Sequence, residues 1–203
     1  GSALEQVRGL QLLGKNQEAL DVLETLESQK VPEFYFLRSR LYLALKNYES
    51  ALADLNQLLE QSREIETLHE RAMVYKELGQ HEAALIDLNE CLENGSNDDY
   101  LLEKLDLQVR LNPEQAIAEL KDILASRPDW WTAHHLYIKT LIQVKNTREA
   151  QDALDKILKE HSEDSRFWML QARLHRQRRR YTEALTALQM VEKTLSSMRL
   201  GGI

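Results

Sequence analysis

The chain has 203 residues, of which 43% are hydrophobic and 29% charged, and its formal net charge is −7. Its single cysteine excludes a disulfide framework, no segment is long and apolar enough to insert into a membrane, and no signal peptide is visible. We therefore expect a soluble protein and favour the cytoplasm, although the compartment is not fixed. The Gly1-Ser2 start without an initiator methionine predicts an excised fragment of a longer protein.

Amphipathic segments separated by short polar breaks, such as Lys46-Asn47 and Gly79-Gln80, predict an all-α chain of antiparallel helix pairs. In chain order the predicted pairs are Ala3–Leu13 with Asn16–Gln29, Glu33–Leu45 with Tyr48–Gln61, Glu64–Leu78 with His81–Asn94, Asp98–Leu111 with Pro113–Ser126, Trp130–Val144 with Thr147–His161, and Asp164–Arg178 with Tyr181–Arg199. Pro113 is expected to open its helix at the first turn, whereas Pro32 and Pro128 are expected between repeats, where they stop the preceding helix.

One helical pattern recurs along the chain at a nearly constant period. The stretch NYESALADLNQLLE (47–60) returns 33 residues later as QHEAALIDLNECLE (80–93). Its marker is an alanine followed four residues later by a leucine, which places both on one helix face. The marker pairs are Ala19/Leu23, Ala51/Leu55, Ala84/Leu88, Ala116/Leu120, Ala150/Leu154 and Ala184/Leu188, and successive alanines are 32, 33, 32, 34 and 34 residues apart. Such a period indicates a repeat architecture.

These repeats resemble the tetratricopeptide repeat family, a helix-turn-helix of about 34 residues. The matching positions are Tyr35, Tyr100 and Trp168 early in first helices, Ser39/Tyr42 and Ala72/Tyr75 further on, Gly79 at the turn and Pro128 at the repeat end. The turn glycine is absent from most copies, and Lys104 and Ile138 replace a small residue. The resemblance implies one superhelical domain, a right-handed α-solenoid of about six repeats over residues 3–31, 32–63, 64–96, 97–128, 129–162 and 163–199.

The resemblance also implies a concave groove lined by the first helices, where a protein or peptide partner would bind. The candidate groove residues are Phe36, Arg40, His69, Met73, Leu101, Leu105, His135, Lys139, Met169, Arg173 and Arg176. Met73, Leu101 and Leu105 would form an apolar middle, unless the leucines pack on neighbouring repeats. The C-terminal end is basic, which favours a segment with an apolar centre and an acidic end.

Positive charge is concentrated near the C-terminus, where residues 166–203 contain eight basic and two acidic residues. Arg178, Arg179 and Arg180 fit a solvated helix end, where cations complement the helix dipole. A nucleic-acid partner is disfavoured, because the whole chain is acidic and only one repeat is basic.

The last helix is expected to turn an inner stripe of Ala184, Leu188, Val191, Leu195 and Met198 towards the preceding helix. Either its outer face is polar enough to end the array, or a missing domain or a second copy of the chain covers it. The alternative to a peptide-binding scaffold is therefore a structural or oligomerisation module of a larger protein, which acts through its terminal repeats. In that case the chain itself could form a homodimer.

No catalytic, cofactor or metal site is predicted. His134 and His135 are consecutive, so their side chains diverge, whereas a shared metal ion needs helical i, i+4 spacing. Cys91 falls where a small buried residue is expected and is interpreted as a core thiol. The sequence therefore predicts a binding scaffold and not an enzyme.

Overall fold

The structure, a computed structural model, describes residues 2–26 and 31–202, and there the backbone forms twelve α-helices and no strand. The helices are α1 (Ala3–Leu12), α2 (Asn16–Glu24), α3 (Pro32–Ala44), α4 (Tyr48–Gln61), α5 (Ile65–Glu77), α6 (His81–Asn94), α7 (Asp98–Leu111), α8 (Pro113–Ser126), α9 (Trp131–Gln143), α10 (Thr147–Glu160), α11 (Ser165–Gln177) and α12 (Tyr181–Leu200). Every predicted helix is present. None of the described helices combines the length and the apolar composition needed to cross a membrane.

Helix α2 ends at Glu24, earlier than predicted, and the predicted last residue Gln29 lies outside the described residues. The Thr25 hydroxyl donates to the carbonyl of Val22 at 2.6 Å, and the N–H of Thr25 bonds that same carbonyl. The last turn is therefore closed by hydrogen bonds from residue i to residue i−3, the 3₁₀ pattern, which tightens a helix end.

The prediction for Pro32 was wrong, because this proline opens α3 at its first turn, as Pro113 opens α8. The first N–H groups of a helix have no intrahelical acceptor, so a proline there forfeits no hydrogen bond. Pro128 lies between α8 and α9, as predicted.

The chain divides into two compact units, residues 1–107 and 108–203. In the first unit α1 pairs with α2, α3 with α4 and α5 with α6, and α2 and α4 also contact the helices that follow them. In the second unit α9 pairs with α10 and α11 with α12, while α8 contacts α9 and α10 contacts α11. That both units form one superhelical domain stays a prediction.

The marker alanines and leucines form the repeated core. In the first five copies each alanine and leucine of a marker pair is at most 1% exposed. In the last copy Ala184 is 8% exposed and Leu188 is 42% exposed. A second helix therefore buries its marker leucine where another helix follows it.

Two buried ion pairs were not anticipated by the sequence analysis. Each one joins the first and the second helix of the same repeat. Arg38 bonds both carboxylate oxygens of Asp54 at 2.8 and 2.6 Å, and Arg71 bonds both of Asp87 at 2.8 and 2.7 Å. Both aspartates are at most 3% exposed. Bidentate geometry is what allows such a pair to offset the loss of hydration.

Five turns between paired helices use the left-handed backbone region, two of them at Gly14 and Gly79 with φ of 72° and 74°. The others are at Lys46, Lys145 and Arg179, with φ of 61°, 60° and 58°. The turn conformation is thus kept where the family glycine is absent. The cations follow helix C-termini, where positive charge is favourable.

We predict that Asp87→Ala lowers the free energy of unfolding by about 3–5 kcal/mol, because it leaves the Arg71 guanidinium half-buried and unpaired. Glu93→Ala, at an exposed position of α6, is the control and should change it by less than about 0.5 kcal/mol. Urea unfolding followed by circular dichroism measures both. Equal stabilities of the two variants would contradict the role of the ion pair.

We also predict that Lys46→Gly raises the free energy of unfolding by about 0.5–1 kcal/mol, because glycine adopts positive φ without Cβ strain. Gly79→Ala should lower it by about 1 kcal/mol. An added Cβ at Gly79 meets nothing within 4 Å, so this change isolates the backbone effect. Shifts of the same sign in the two urea titrations would contradict the assignment.

Candidate functional site

In the first unit, the predicted residue Arg40 is held by its neighbours. Its guanidinium lies 3.4 Å from the Glu70 carboxylate of α5 and 6.0 Å from the ring centre of Phe36. Burial raises the pKa of the Glu70 carboxyl, although Arg40 opposes that shift. This cation is therefore already compensated by a side chain of its own unit.

His69, another predicted residue, is also satisfied internally. Its Nε2 lies 2.7 Å from a carboxylate oxygen of Glu103, and its ring stacks on Tyr100 with a centre-to-centre distance of 4.3 Å. Met73 and Leu101 are half-buried. These contacts leave little unpaired charge for a ligand at this part of the first unit.

Of the two expectations for Leu105, exposure in the groove was wrong, because its exposed fraction is zero. Neighbouring Leu107 is also buried and packs with Ala72, Ala84 and Leu88. Helix α7 is covered on more than one face, so Leu105 belongs to the core and no partner can reach it.

In the second unit, the structure brings the five predicted residues together. His135 and Lys139 lie on one face of α9, and Met169, Arg173 and Arg176 lie on one face of α11. They line two adjoining depressions of about 400 and 440 Å³. Both depressions include Lys139, Arg173 and Arg176. We call the five residues, together with Leu188 of α12, which lines the second depression, the α9–α11 surface.

The cations of the α9–α11 surface are not compensated. Within the described residues, no acidic side chain pairs with Lys139, Arg173 or Arg176. The nearby Asp164 is occupied by Arg166 at 2.8 Å. Burial lowers the pKa of His135, and the charges of Arg166, Lys139 and Arg173 lower it further.

The same surface carries apolar groups in contact with solvent. Met169 is 49% exposed and Leu188 of α12 is 42% exposed. The prediction that Leu188, Leu195 and Met198 lie on the inner stripe of α12 was wrong, since all three are exposed. Ala184 and Val191 are buried as predicted, and Ala187 and Thr194 are the other buried positions of α12.

Two glutamines at the edge of the first depression were missed by the sequence analysis. The Gln143 side chain donates to the carbonyl of Val109 at 3.4 Å, and that of Gln177 to the carbonyl of Ile142 at 2.9 Å. Each glutamine is the last residue of its helix, and its hydrogen bond connects that helix to the first helix of the preceding repeat. Their recurrence 34 residues apart was the available signal.

The structure offers no support for a metal or nucleophile site. The described residues hold no group of three or more potential metal-ligating side chains. The His134 ring bonds the Pro128 carbonyl at 2.7 Å while His135 lies against Phe167, so the two side chains diverge as predicted. Cys91 is fully buried, and burial raises the pKa of its thiol to about 11, which confirms the core thiol.

We predict that His135 titrates below its ordinary pKa of 6.5 and that Arg173→Gln or Lys139→Gln moves its midpoint upwards. Since the unfolded chain binds this proton more readily, His135 should also reduce stability as the pH falls through 6.5. NMR titration of the imidazole signals measures the midpoint. Arg148→Gln, on exposed α10 surface, is the control and should leave it unchanged.

Comparisons with known proteins agree with this fold. Sequence profiles of the tetratricopeptide repeat match residues 4–64, 65–94 and 112–174. No curated protein matches the sequence.

Several solved structures share the fold. A tetratricopeptide repeat protein from Parabacteroides merdae is 20% identical, with a TM-score of 0.66 over 95% of this chain and 77% of that one. The C-terminal part of a repeat protein from Cytophaga hutchinsonii is 16% identical, with a TM-score of 0.68 over 96% and 80%. YrrB, described as having an unusual peptide-binding site, is 17% identical, with a TM-score of 0.58 over 84% and 90%. The predicted fold class, an all-helical repeat solenoid, is confirmed, and the chain belongs to the tetratricopeptide repeat family.

Proposed function

We propose that this chain is a protein-interaction scaffold whose α9–α11 surface binds a partner segment containing both acidic and apolar side chains. The observation that carries the proposal is that three cations, which no acidic side chain of the described residues pairs with, lie beside the exposed Met169 and Leu188. YrrB, which shares the fold, is described as having a peptide-binding site, and this supports binding of a segment rather than of a small molecule.

Charge repulsion and the exposure of apolar side chains to water both favour the binding of such a segment. Arg173 and Arg176 lie three residues apart on α11, so like charges repel across one helix turn. Carboxylates of a partner would relieve that repulsion, and arginine binds a carboxylate with two parallel hydrogen bonds. Apolar side chains between the carboxylates would remove Met169 and Leu188 from water.

In this proposal, the first unit contributes less to partner binding than the α9–α11 surface. Phe36, Arg40, His69, Met73 and Leu101 stay candidates for further contacts with a partner. Because Arg40 and His69 are paired with Glu70 and Glu103, a ligand carboxylate would have to compete with existing contacts.

We further propose that the chain acts by binding alone, without catalysis and without nucleic acid. The one thiol is buried and protonated at neutral pH. Arg178 occupies the C-cap position of α11, Arg179 the turn and Arg180 the N-cap position of α12, and all three side chains are exposed. That placement favours a role in the turn over a phosphate-binding surface.

Fluorescence anisotropy with defined peptides tests this function. The probes are a labelled twelve-residue peptide rich in Glu and Leu, one in which Lys replaces each Glu, and one in which Ser replaces each Leu. We predict that only the first binds well, and that the double change Arg173→Glu with Arg176→Glu weakens it by about tenfold or more.

The double change Arg148→Glu with Lys159→Glu is the matched control, since it makes the same charge change at two exposed positions of α10. It should leave the affinity nearly unchanged. Equal losses in both proteins would indicate non-specific attraction and contradict the assigned surface. Equal binding of the Ser-containing peptide would contradict the apolar contribution.

A further inference from the structure

A histidine lies among the uncompensated cations of the α9–α11 surface. His135 lines the second depression together with Lys139, Arg173 and Arg176. Its side chain is half-buried, and its ring packs against Phe167 of α11 with a centre-to-centre distance of 6.2 Å. The imidazole therefore shares one depression of about 440 Å³ with three positive charges.

The charges that act on His135 are mostly positive. Arg166 and Arg173 of α11 and Lys139 of α9 all disfavour a proton on its ring. Asp164, at the N-cap of α11, favours the proton, but its carboxylate accepts a hydrogen bond from Arg166 at 2.8 Å. Three cations thus oppose one carboxylate that is already paired, and the balance of charge disfavours the imidazolium ion.

The other helices packed against α9 and α11 add no charged side chain to the lining of this depression within the described residues. Helix α12 contributes apolar side chains, among them Leu188. Lys121 of α8 and Glu149 of α10 pair with each other, and Glu149 accepts a hydrogen bond from Tyr137 at 3.0 Å. Tyr137 follows His135 by two residues and so lies on the opposite face of α9. The charges nearest His135 are therefore those of the α9–α11 surface and of the first turn of α11.

An acidic segment bound to this surface would reverse the balance of charge. Its carboxylates would pair with Lys139 and Arg173 and bring negative charge close to the imidazole of His135. A nearby negative charge stabilises the imidazolium ion, whereas the unpaired cations of the free protein destabilise it. By thermodynamic linkage, a ligand that increases the proton affinity of a group binds more tightly when that group is protonated.

We propose that His135 couples partner binding to pH: it takes up a proton when an acidic segment occupies the α9–α11 surface, which therefore binds that segment more tightly as the pH falls below neutrality. This inference rests on the proposed function, because the segment supplies the negative charge. The affinity rises as the pH falls from above the His135 midpoint in the complex to below its midpoint in the free protein. In that range His135 selects for carboxylates, since a segment without them gains nothing from the added proton.

Isothermal titration calorimetry tests the proposal on the full chain, because titrations in two buffers of different ionisation enthalpy count the protons that binding takes up. The probe is the peptide rich in Glu and Leu, acetylated so that its amino group does not titrate. Its glutamates, with an ordinary pKa of about 4.3, stay ionised at about pH 6.5 and exchange almost no protons there. We predict an uptake of about 0.3–0.5 proton per peptide at that pH, and binding about threefold to tenfold tighter at about pH 5.5 than at about pH 7.5.

Two histidine variants assign the proton. His135→Gln keeps a polar side chain that cannot take up a proton, so uptake should fall below about 0.1 proton and the affinity should lose its pH dependence. His175→Gln is the matched control. His175 also belongs to α11 but lines a separate depression with Gln151 and Lys159, so its replacement should leave the proton uptake in place.

NMR titration of the unaltered protein gives a second measure that needs no variant. The His135 midpoint should move upwards by about one pH unit when the peptide saturates the surface. Binding without proton uptake, a midpoint that does not rise, or uptake that persists in His135→Gln would overturn the coupling and leave the proposed function standing. Absence of peptide binding at every pH would overturn both proposals.

Discussion

Each second helix of this chain depends on the helix after it to remove its marker leucine from water. Burying one leucine stabilises a protein by about 1.5–3 kcal/mol. The contribution recurs wherever Leu23, Leu55, Leu88, Leu120 and Leu154 are covered. Small alanines one turn earlier let the helices approach closely. The same dependence leaves Leu188 half-exposed on α12, where no further helix follows within the described residues.

Charge is handled differently in the two units. In the first, Arg38 and Arg71 pair with buried aspartates, and Arg40 and His69 pair with glutamates of neighbouring first helices. In the second, Lys139, Arg173 and Arg176 lie together, and no acidic side chain among the described residues pairs with them. Cations placed together without compensation repel each other, and an anionic partner relieves that cost. The contrast identifies where an acidic segment would gain most by binding.

The repeat period was sufficient to predict the fold, because alanine and leucine recur at nearly constant spacing and helix ends follow from the polar breaks. The resemblance to the tetratricopeptide repeat family implied the five residues of the α9–α11 surface, and the structure places them on one face of α9 and one face of α11. Leu105 was misplaced because the sequence does not show that neighbouring elements cover α7 on more than one face. Leu188 was misplaced because its position in the repeat indicates burial, whereas none of the described helices covers it on α12. The Arg38–Asp54 ion pair was not predicted, because the sequence does not show how α3 and α4 align across the turn between them.

NMR mapping of the binding surface tests the central claim, that unpaired cations and exposed apolar groups of α9 and α11 form the binding site. The acidic, leucine-containing peptide would be titrated into labelled protein while backbone amide shifts are followed. The account predicts the largest changes in residues 135–143, 169–177 and 184–188. Changes concentrated in α3, α5 or α10, or the absence of any change at saturating peptide, would contradict it.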